Sequence, residues 1–258
     1  MAVLTIGRTQ FDVDAVLFDK DGTLLNFGDL WTGWFEALLD RVEQCIPATV
    51  RLDRDTLRQW VGVEPTTGLW DPTGPLTIGS IDDIAAIVGL HLYQQNIPWN
   101  DSTQWIGESL EFLQEGFDWA NNVTPVGGLL RFLTSCHQAD IKMAVVTSDN
   151  TVSASRQLEH LGVHGFFPVI LGHDLVVRGK PFPDMALQAC RQLQVAPERT
   201  LIFGDSNGDM AMGRAAGLSA GVGVCAGPHL SGDHLGLAAA FIRHYDEVQV
   251  TAIPASGL

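Results

Sequence analysis

Four short segments carry the polar residues whose types and spacing could do chemistry, and each follows an apolar run that reads as a strand. In Phe18-Asp19-Lys20-Asp21-Gly22-Thr23-Leu24, two carboxylates stand two residues apart. Side chains alternate along an extended chain, so Asp19 and Asp21 can face one side while Lys20 turns away from both. Crowded carboxylates raise one another's pKa unless a cation intervenes, and Gly22 then allows a sharp exit. In Val145-Val146-Thr147-Ser148-Asp149-Asn150, the hydroxyls could donate to a phosphoryl oxygen. Gly179-Lys180-Pro181-Phe182-Pro183-Asp184 sets one of only three lysines (Lys20, Lys142, Lys180) between Gly and Pro, where its ammonium would act as a point charge. In Phe203-Gly204-Asp205-Ser206-Asn207-Gly208-Asp209, carboxylates at a strand end and in the next helical turn offer the oxygen ligands that Mg²⁺ prefers. Singly, each segment is also a credible Asp-Gly turn, helix cap or solvated loop lysine. Four such segments after four separate strands fit one reaction, and coincidence becomes a poor account of them.

The elements that must position these residues alternate strand and helix. Ala15–Phe18, Met143–Val146, Val169–Leu171, Leu201–Phe203 and Ala220–Val224 read as buried strands. Between them, helical spacing joins Leu129, Leu130 and Leu133 after Pro125, and Leu158 with Leu161 before Gly162. Met185, Leu187 and Leu193 make a third such set. Strands separated by helices imply an α/β fold, a Rossmann-like doubly wound parallel sheet whose chemistry collects outside the carboxyl ends of the strands.

A segment of different composition interrupts this pattern. All seven tryptophans, Trp31 to Trp119, fall within it, and Phe27 to Val123 carries fifteen acidic residues against four arginines. The remainder holds fifteen acidic against eleven basic. Trp34, Leu38, Leu39 and Val42 mark one amphipathic helix; Ile84, Ile87, Val88, His91 and Leu92 a second; Ile106, Leu110 and Leu113 a third. Gly62 to Ser80, rich in Gly and Pro, reads as loop. Residues 27–123 are thus expected to form a mostly helical inserted domain, and 1–26 with 124–258 the Rossmann-like core. The tryptophans are expected mainly in the core of the insert.

A net charge of −15 argues against nucleic acid or an anionic membrane as partner. No apolar run approaches a membrane span and the first ten residues lack a signal peptide's pattern, so a cytoplasmic address is expected. Cys45, Cys136, Cys190 and Cys225 lie far apart without CxxC spacing and read as buried thiols. His229 and His234 fall in a Gly-rich loop after the last segment and read poorly as metal ligands.

Asp19-Lys-Asp-Gly-Thr-Leu24, Val146-Thr147, Gly179-Lys180-Pro181-Phe-Pro-Asp184 and Gly204-Asp205-Ser-Asn-Gly-Asp209 resemble, in order, the four signature motifs of the haloacid-dehalogenase superfamily. The insertion between the first and second motifs is similar to the helical cap of its phosphoglycolate-phosphatase-like branch. That resemblance implies a Mg²⁺-dependent phosphatase acting on a small-molecule phosphomonoester. Asp19 would be the nucleophile and Asp21 the acid and base. Thr147, Ser148 and Lys180 would hold the phosphoryl group, and Lys180 would offset developing charge. The metal would be held by Asp19, Asp21 through its backbone carbonyl, Asp205 and Asp209, and the cap would close over the site. Lys20 departs from the apolar residue more usual there and is expected to pair with acidic surface. A phosphomutase of the β-phosphoglucomutase type shares these motifs and stays open, as does, more remotely, a non-catalytic binding protein on the same fold. A dehalogenase would need neither Asp21 nor a metal. A phosphonatase would need a cap lysine, and the chain has none between Lys20 and Lys142.

Overall fold

The computed structural model describes residues 2–118 and 122–253, so Trp119 lies outside the described residues. The chain divides into two compact units, one of residues up to Asn26 and from Val123 onward, the other Phe27–Asn122.

The second unit is helical: α1 (Gly33–Cys45), α2 (Arg54–Val61), the short α3 (Pro75–Ile78), α4 (Ile81–Gln94) and α5 (Trp99–Gly116). Trp34, Leu38, Leu39 and Val42 of α1 bury together with Ile84, Val88 and Leu92 of α4 and with Ile106 and Leu113 of α5. The helical periodicity of the sequence therefore marks the true core faces. Of the tryptophans, Trp34 is buried and Trp31, Trp70 and Trp105 pack against that core, but Trp60 and Trp99 are exposed at the surface. Helix α2 has little apolar repeat; Asp53 starts it by accepting from Thr56 N–H (3.2 Å), and Gly62 ends it in the left-handed region. The arginines of this unit are largely committed. Arg54 pairs with Glu36, Asp40 and Glu43, Arg58 pairs with Glu36 and Asp55, and Arg41 lies over the Phe112 ring. A cavity of about 350 Å³ opens within this unit beside Thr32, Glu36, Arg58 and Glu64.

The first unit opens with a hairpin, β1 (Ala2–Ile6) and β2 (Thr9–Val13), turned at Gly7. β3 (Ala15–Phe18) then enters a six-stranded sheet ordered β5-β4-β3-β6-β7-β8, every neighbouring pair parallel. The other strands are β4 (Lys142–Val146), β5 (Val169–Leu171), β6 (Thr200–Gly204), β7 (Ala220–Val224) and β8 (Ala240–Ile242). The helices between them are α6 (Leu129–Gln138), α7 (Thr151–His160), α8 (Asp184–Leu193) and α9 (Asn207–Ala215). Alternate residues of β3 go to opposite faces. Leu17 packs with Met185, Ala186 and Ala189 of α8, while Phe18 meets Phe132, Phe167 and Tyr245 on the other side. Both faces are covered, which is why these strands read as continuous apolar runs. The fold is the doubly wound α/β sheet that the sequence implies. Its direction of winding reverses at β3, between β4 and β6, and such a reversal leaves a crevice at the carboxyl end of the strand.

Three expectations need correction. Helix α6 begins at Leu129 after Gly128 and buries Leu129, Phe132, Leu133 and Cys136, while Leu130, read with its apolar set, is 59% exposed. A second, antiparallel sheet, β2-β1-β9 with β9 (Val248–Ala252), was not foreseen, nor was β8. Of the four cysteines, all free thiols, Cys136, Cys190 and Cys225 are buried but Cys45 is only partly so.

Candidate active site

Asp19 is the first residue beyond β3, and its N–H still donates to Phe203 O (2.8 Å), so the strand's geometry carries it to the end of the sheet. Five and six residues on, Leu24 and Leu25 N–H both return to Lys20 O (2.8 and 3.0 Å), which closes a tight loop over 20–25. Gly22 makes that loop possible. It sits at φ +74°, and a Cβ there would fall 2.0 Å from Asp205 Oδ2. β6 ends at Gly204, and Asp205 follows at the neighbouring strand end. Gly204 clears the space for Asp209, whose side chain a Cβ would meet at 2.4 Å.

Asp209 is placed by the start of α9. Ser206 caps the helix by accepting from Asp209 N–H (3.3 Å), and Asp209 Oδ2 accepts in return from Ser206 Oγ (2.7 Å) and N–H (3.2 Å). Asp209 thus takes part in the cap of this helix while its side chain also faces the other carboxylates. Its other oxygen, Oδ1, lies 2.6 Å from Lys180 Nζ, and the same ammonium pairs with Asp19. One oxygen from each of Asp19, Asp205 and Asp209 falls within 4.8 Å of the others, the one such group of metal-ligating side chains among the described residues.

The electrostatics follow from this crowding. Burial raises the Asp19 carboxyl to about 7; Asp209 and Asp21 push the same way, and Lys180 opposes them. Asp205 is raised well above the carboxylate range by desolvation and by the charges of Asp19 and Asp209. Lys180 is buried too, yet its pairing with Asp19 and Asp209 outweighs desolvation and holds it above the usual lysine value.

Asp21 does not join the cluster. Its carboxylate faces Lys20 Nζ with both oxygens, at 2.8 and 2.7 Å. This corrects the expectation that Lys20 turns away from Asp21 and pairs at the surface. Lys20 is fully buried, donates to Gln157 Oε1 and lies 3.4 Å from Asp149 Oδ2. Its charge survives burial because Asp21 and Asp149 outweigh the desolvation that would push its pKa down. Alternation fixes where Cβ starts, and a four-carbon stem can still bend back.

Thr147 follows β4, the parallel neighbour of β3. It is buried, donates its N–H to Leu171 O (2.9 Å) and accepts from Asp149 N–H at Oγ1 (3.1 Å). Ser148 beside it is exposed. Asn150, not Ser148, caps α7, accepting from Ser153 N–H (2.8 Å). His229 and His234 stand outside the carboxylate group, though His234 reaches its edge. Nε2 of His234 lies 3.1 Å from Asp205 O, and since a carbonyl can only accept, that nitrogen carries the proton. Sequence reasoning missed Asp149, Gln157 and the backbone contact of His234. Only Asp149 carried a signal, by its place after β4.

Haloacid dehalogenase-like hydrolases match this chain as a family over residues 13–217. A Dickeya dadantii protein named Probable phosphatase IndB is 38% identical over 87 residues, 34% of this chain and 37% of that relative's length. Pyrophosphatase PpaX of Halalkalibacterium halodurans is 26% identical over 82% of this chain and 83% of its own. In fold, the chain is similar to the crystal structure of a predicted phosphoglycolate phosphatase from Haemophilus somnus 129pt, with a TM-score of 0.69 and 18% identity over 92% of this chain and 96% of that one. Lys180 lies in the loop before α8 and not at a strand end as the sequence suggested, whereas Asp19, Thr147 and Asp205 do follow strands. The family match covers all of these residues and Asp209, and the chain belongs to the haloacid dehalogenase-like hydrolases.

Proposed function

We propose that the chain is a Mg²⁺-dependent phosphatase that hydrolyses a small phosphomonoester through an aspartyl-phosphate on Asp19. The observation that carries this reading is the gathering of Asp19, Asp205 and Asp209 at the reversal point of the sheet, with Lys180 bridging Asp19 and Asp209. The named activities of the relatives support it, as phosphatases and a pyrophosphatase.

The donor set suits Mg²⁺. Three hard oxygen donors converge with one ammonium to offset them, and the raised carboxyls of Asp19 and Asp205 register a repulsion that a divalent cation would relieve. Asp19, Asp205 and the backbone carbonyl of Asp21 would hold the ion, with Asp209 beside them. When bound, it would supply Lewis-acid stabilisation to phosphoryl oxygens. Asp19 attacks phosphorus, and the bond to the ester oxygen breaks as Asp21 gives that oxygen a proton. Asp21 then takes a proton from water, whose oxygen displaces Asp19 from phosphorus and frees inorganic phosphate. Thr147, Ser148 and Lys180 hold the phosphoryl oxygens, Lys180 as a fixed charge against the transition state.

Residues 27–122 are proposed to serve as the cap. Its arginines Arg54 and Arg58 are already paired with its own carboxylates, which favours a neutral or amino-bearing leaving group over an anionic one.

The test is release of phosphate from a panel of phosphomonoesters with Mg²⁺, in chelator, and for Asp19→Asn. The reading expects release only with Mg²⁺ and none from the variant. It also expects the variant to melt higher in chelator, because one of three crowded carboxylates is gone. Full activity in excess chelator removes the metal role. Wild-type kcat in Asp19→Asn removes the nucleophile. Label retained in a sugar bisphosphate, with no phosphate released, would identify a mutase instead.

A further inference from the structure

We infer that Lys20 is a positioning residue of the reaction, whose buried ammonium holds the carboxylate of Asp21 in place and keeps it out of the Asp19, Asp205 and Asp209 cluster. The inference rests on the proposed role of Asp21 as proton donor and acceptor. An ammonium has three N–H donors. Lys20 donates to Asp21 and to Gln157 Oε1, and its charge also faces Asp149 Oδ2 at 3.4 Å. None of its side chain reaches solvent. The acceptors are themselves fixed. Gln157 sits on α7, and its Nε2 donates to Ser153 Oγ (3.2 Å), which leaves its oxygen facing Lys20. Asp149 Oδ1 accepts from Asn150 N–H (2.7 Å). The ammonium is thereby pinned to the end of β4 and to α7, and Asp21 is pinned to the ammonium.

The two acids of Asp19-Lys20-Asp21 consequently answer to different lysines. Lys180 pairs with Asp19 and Asp209, and Lys20 pairs with Asp21 and Asp149. Two of the three lysines in the chain are spent this way. Asp21 is drawn aside, which leaves its carboxylate available for proton transfer instead of competing for a place in the cluster. Among the described residues, Lys20 is the one side-chain cation paired with Asp21.

Such a role has a readout that a merely structural lysine lacks, because a misplaced acid matters only to a leaving group that needs a proton. The experiment measures kcat/KM, which reports the step that phosphorylates Asp19, with an alkyl phosphate and with p-nitrophenyl phosphate. It compares the wild-type chain, Lys20→Met, Asp21→Asn and the double variant, all with Mg²⁺. Misplacing a catalytic group by about 1 Å can cost ~100-fold. Lys20→Met should therefore lose about tenfold to 100-fold on the alkyl ester, hold within about threefold on the aryl ester, and cost nothing further in the Asp21→Asn background. An equal loss on both esters, or a loss that adds to that of Asp21→Asn, overturns the inference. Where Lys20→Met does not fold, Gln157→Leu loosens the ammonium without removing its charge. A selective loss on the alkyl ester then supports the inference, and an equal change or none on both esters overturns it. A wild-type chain that releases no phosphate from either ester fails the phosphatase reading itself, a different result from any of these.

Discussion

Gly22 is the residue at which the backbone and the acidic cluster are most tightly fitted, since a methyl group there would collide with the Asp205 carboxylate. Gly22→Ala should cost about 1–2 kcal/mol for the left-handed conformation alone. Displacing Asp205 should lower Mg²⁺-dependent turnover by about 100-fold. Melting curves and phosphate release check both effects, and wild-type kcat in this variant would mean that Asp205 need not stay where it is. At this scale the sequence was most legible where a motif combines a carboxylate with a turn-forming glycine. Asp19, Lys180, Asp205 and Asp209, drawn from the first, third and fourth of those segments, lie together. Lys20 was misread because alternation does not fix where a long flexible side chain ends, and because Gln157, which helps to bury it, lies 137 residues away.

Among the elements, the junction of α2 with α4 carries a titratable contact. Asp53 N–H donates to His91 Nε2 (3.1 Å), and the Gln95 amide approaches the same nitrogen at 3.0 Å. Two donors directed at one nitrogen require it to be bare, so the folded helical unit holds His91 neutral. Burial lowers the pKa of His91 below its usual value, with the charge of Asp53 opposing. The unfolded chain therefore binds the proton more readily. Stability is fully present above the unfolded pKa of about 6.5 and is lost as pH falls below it. Melting temperature should drop between pH 7.5 and 5.5, and His91→Gln, which keeps an acceptor without a titrating ring, should flatten that slope. Identical slopes in the two proteins would place the acid sensitivity elsewhere. Periodicity revealed α1, α4 and α5, whose buried faces repeat every three or four residues. It did not reveal α2, whose buried residues are only Leu57 and Val61, or β8, of whose three residues only Ile242 is buried. In α6 it marked Leu129 and Leu133 correctly but added the adjacent Leu130, which fits the same spacing and is exposed.

On the scale of the whole molecule, no helix among the described residues is long and apolar enough to cross a membrane. The family match stops at residue 217, yet later residues still brace the site. Tyr245 OH donates to Thr23 O (3.1 Å) in the loop after Asp19, and His234 reaches Asp205 O. The pairing of β1 with β9 has a further consequence. Ala2 lies opposite Ala252 and Ile6 opposite Val248, so the first and last described strands run side by side. Topologically the first unit is nearly a ring, open at one point, and the order in which its strands are synthesised is separable from the order in which they pack. A circular permutant that joins the two ends by a short flexible linker and opens the chain at the exposed turn of Asp140 should fold as the parent does. Its melting temperature should lie within a few degrees of the parent's, whereas deletion of Val248–Ala252 should leave β1 with a bare edge and an aggregating chain.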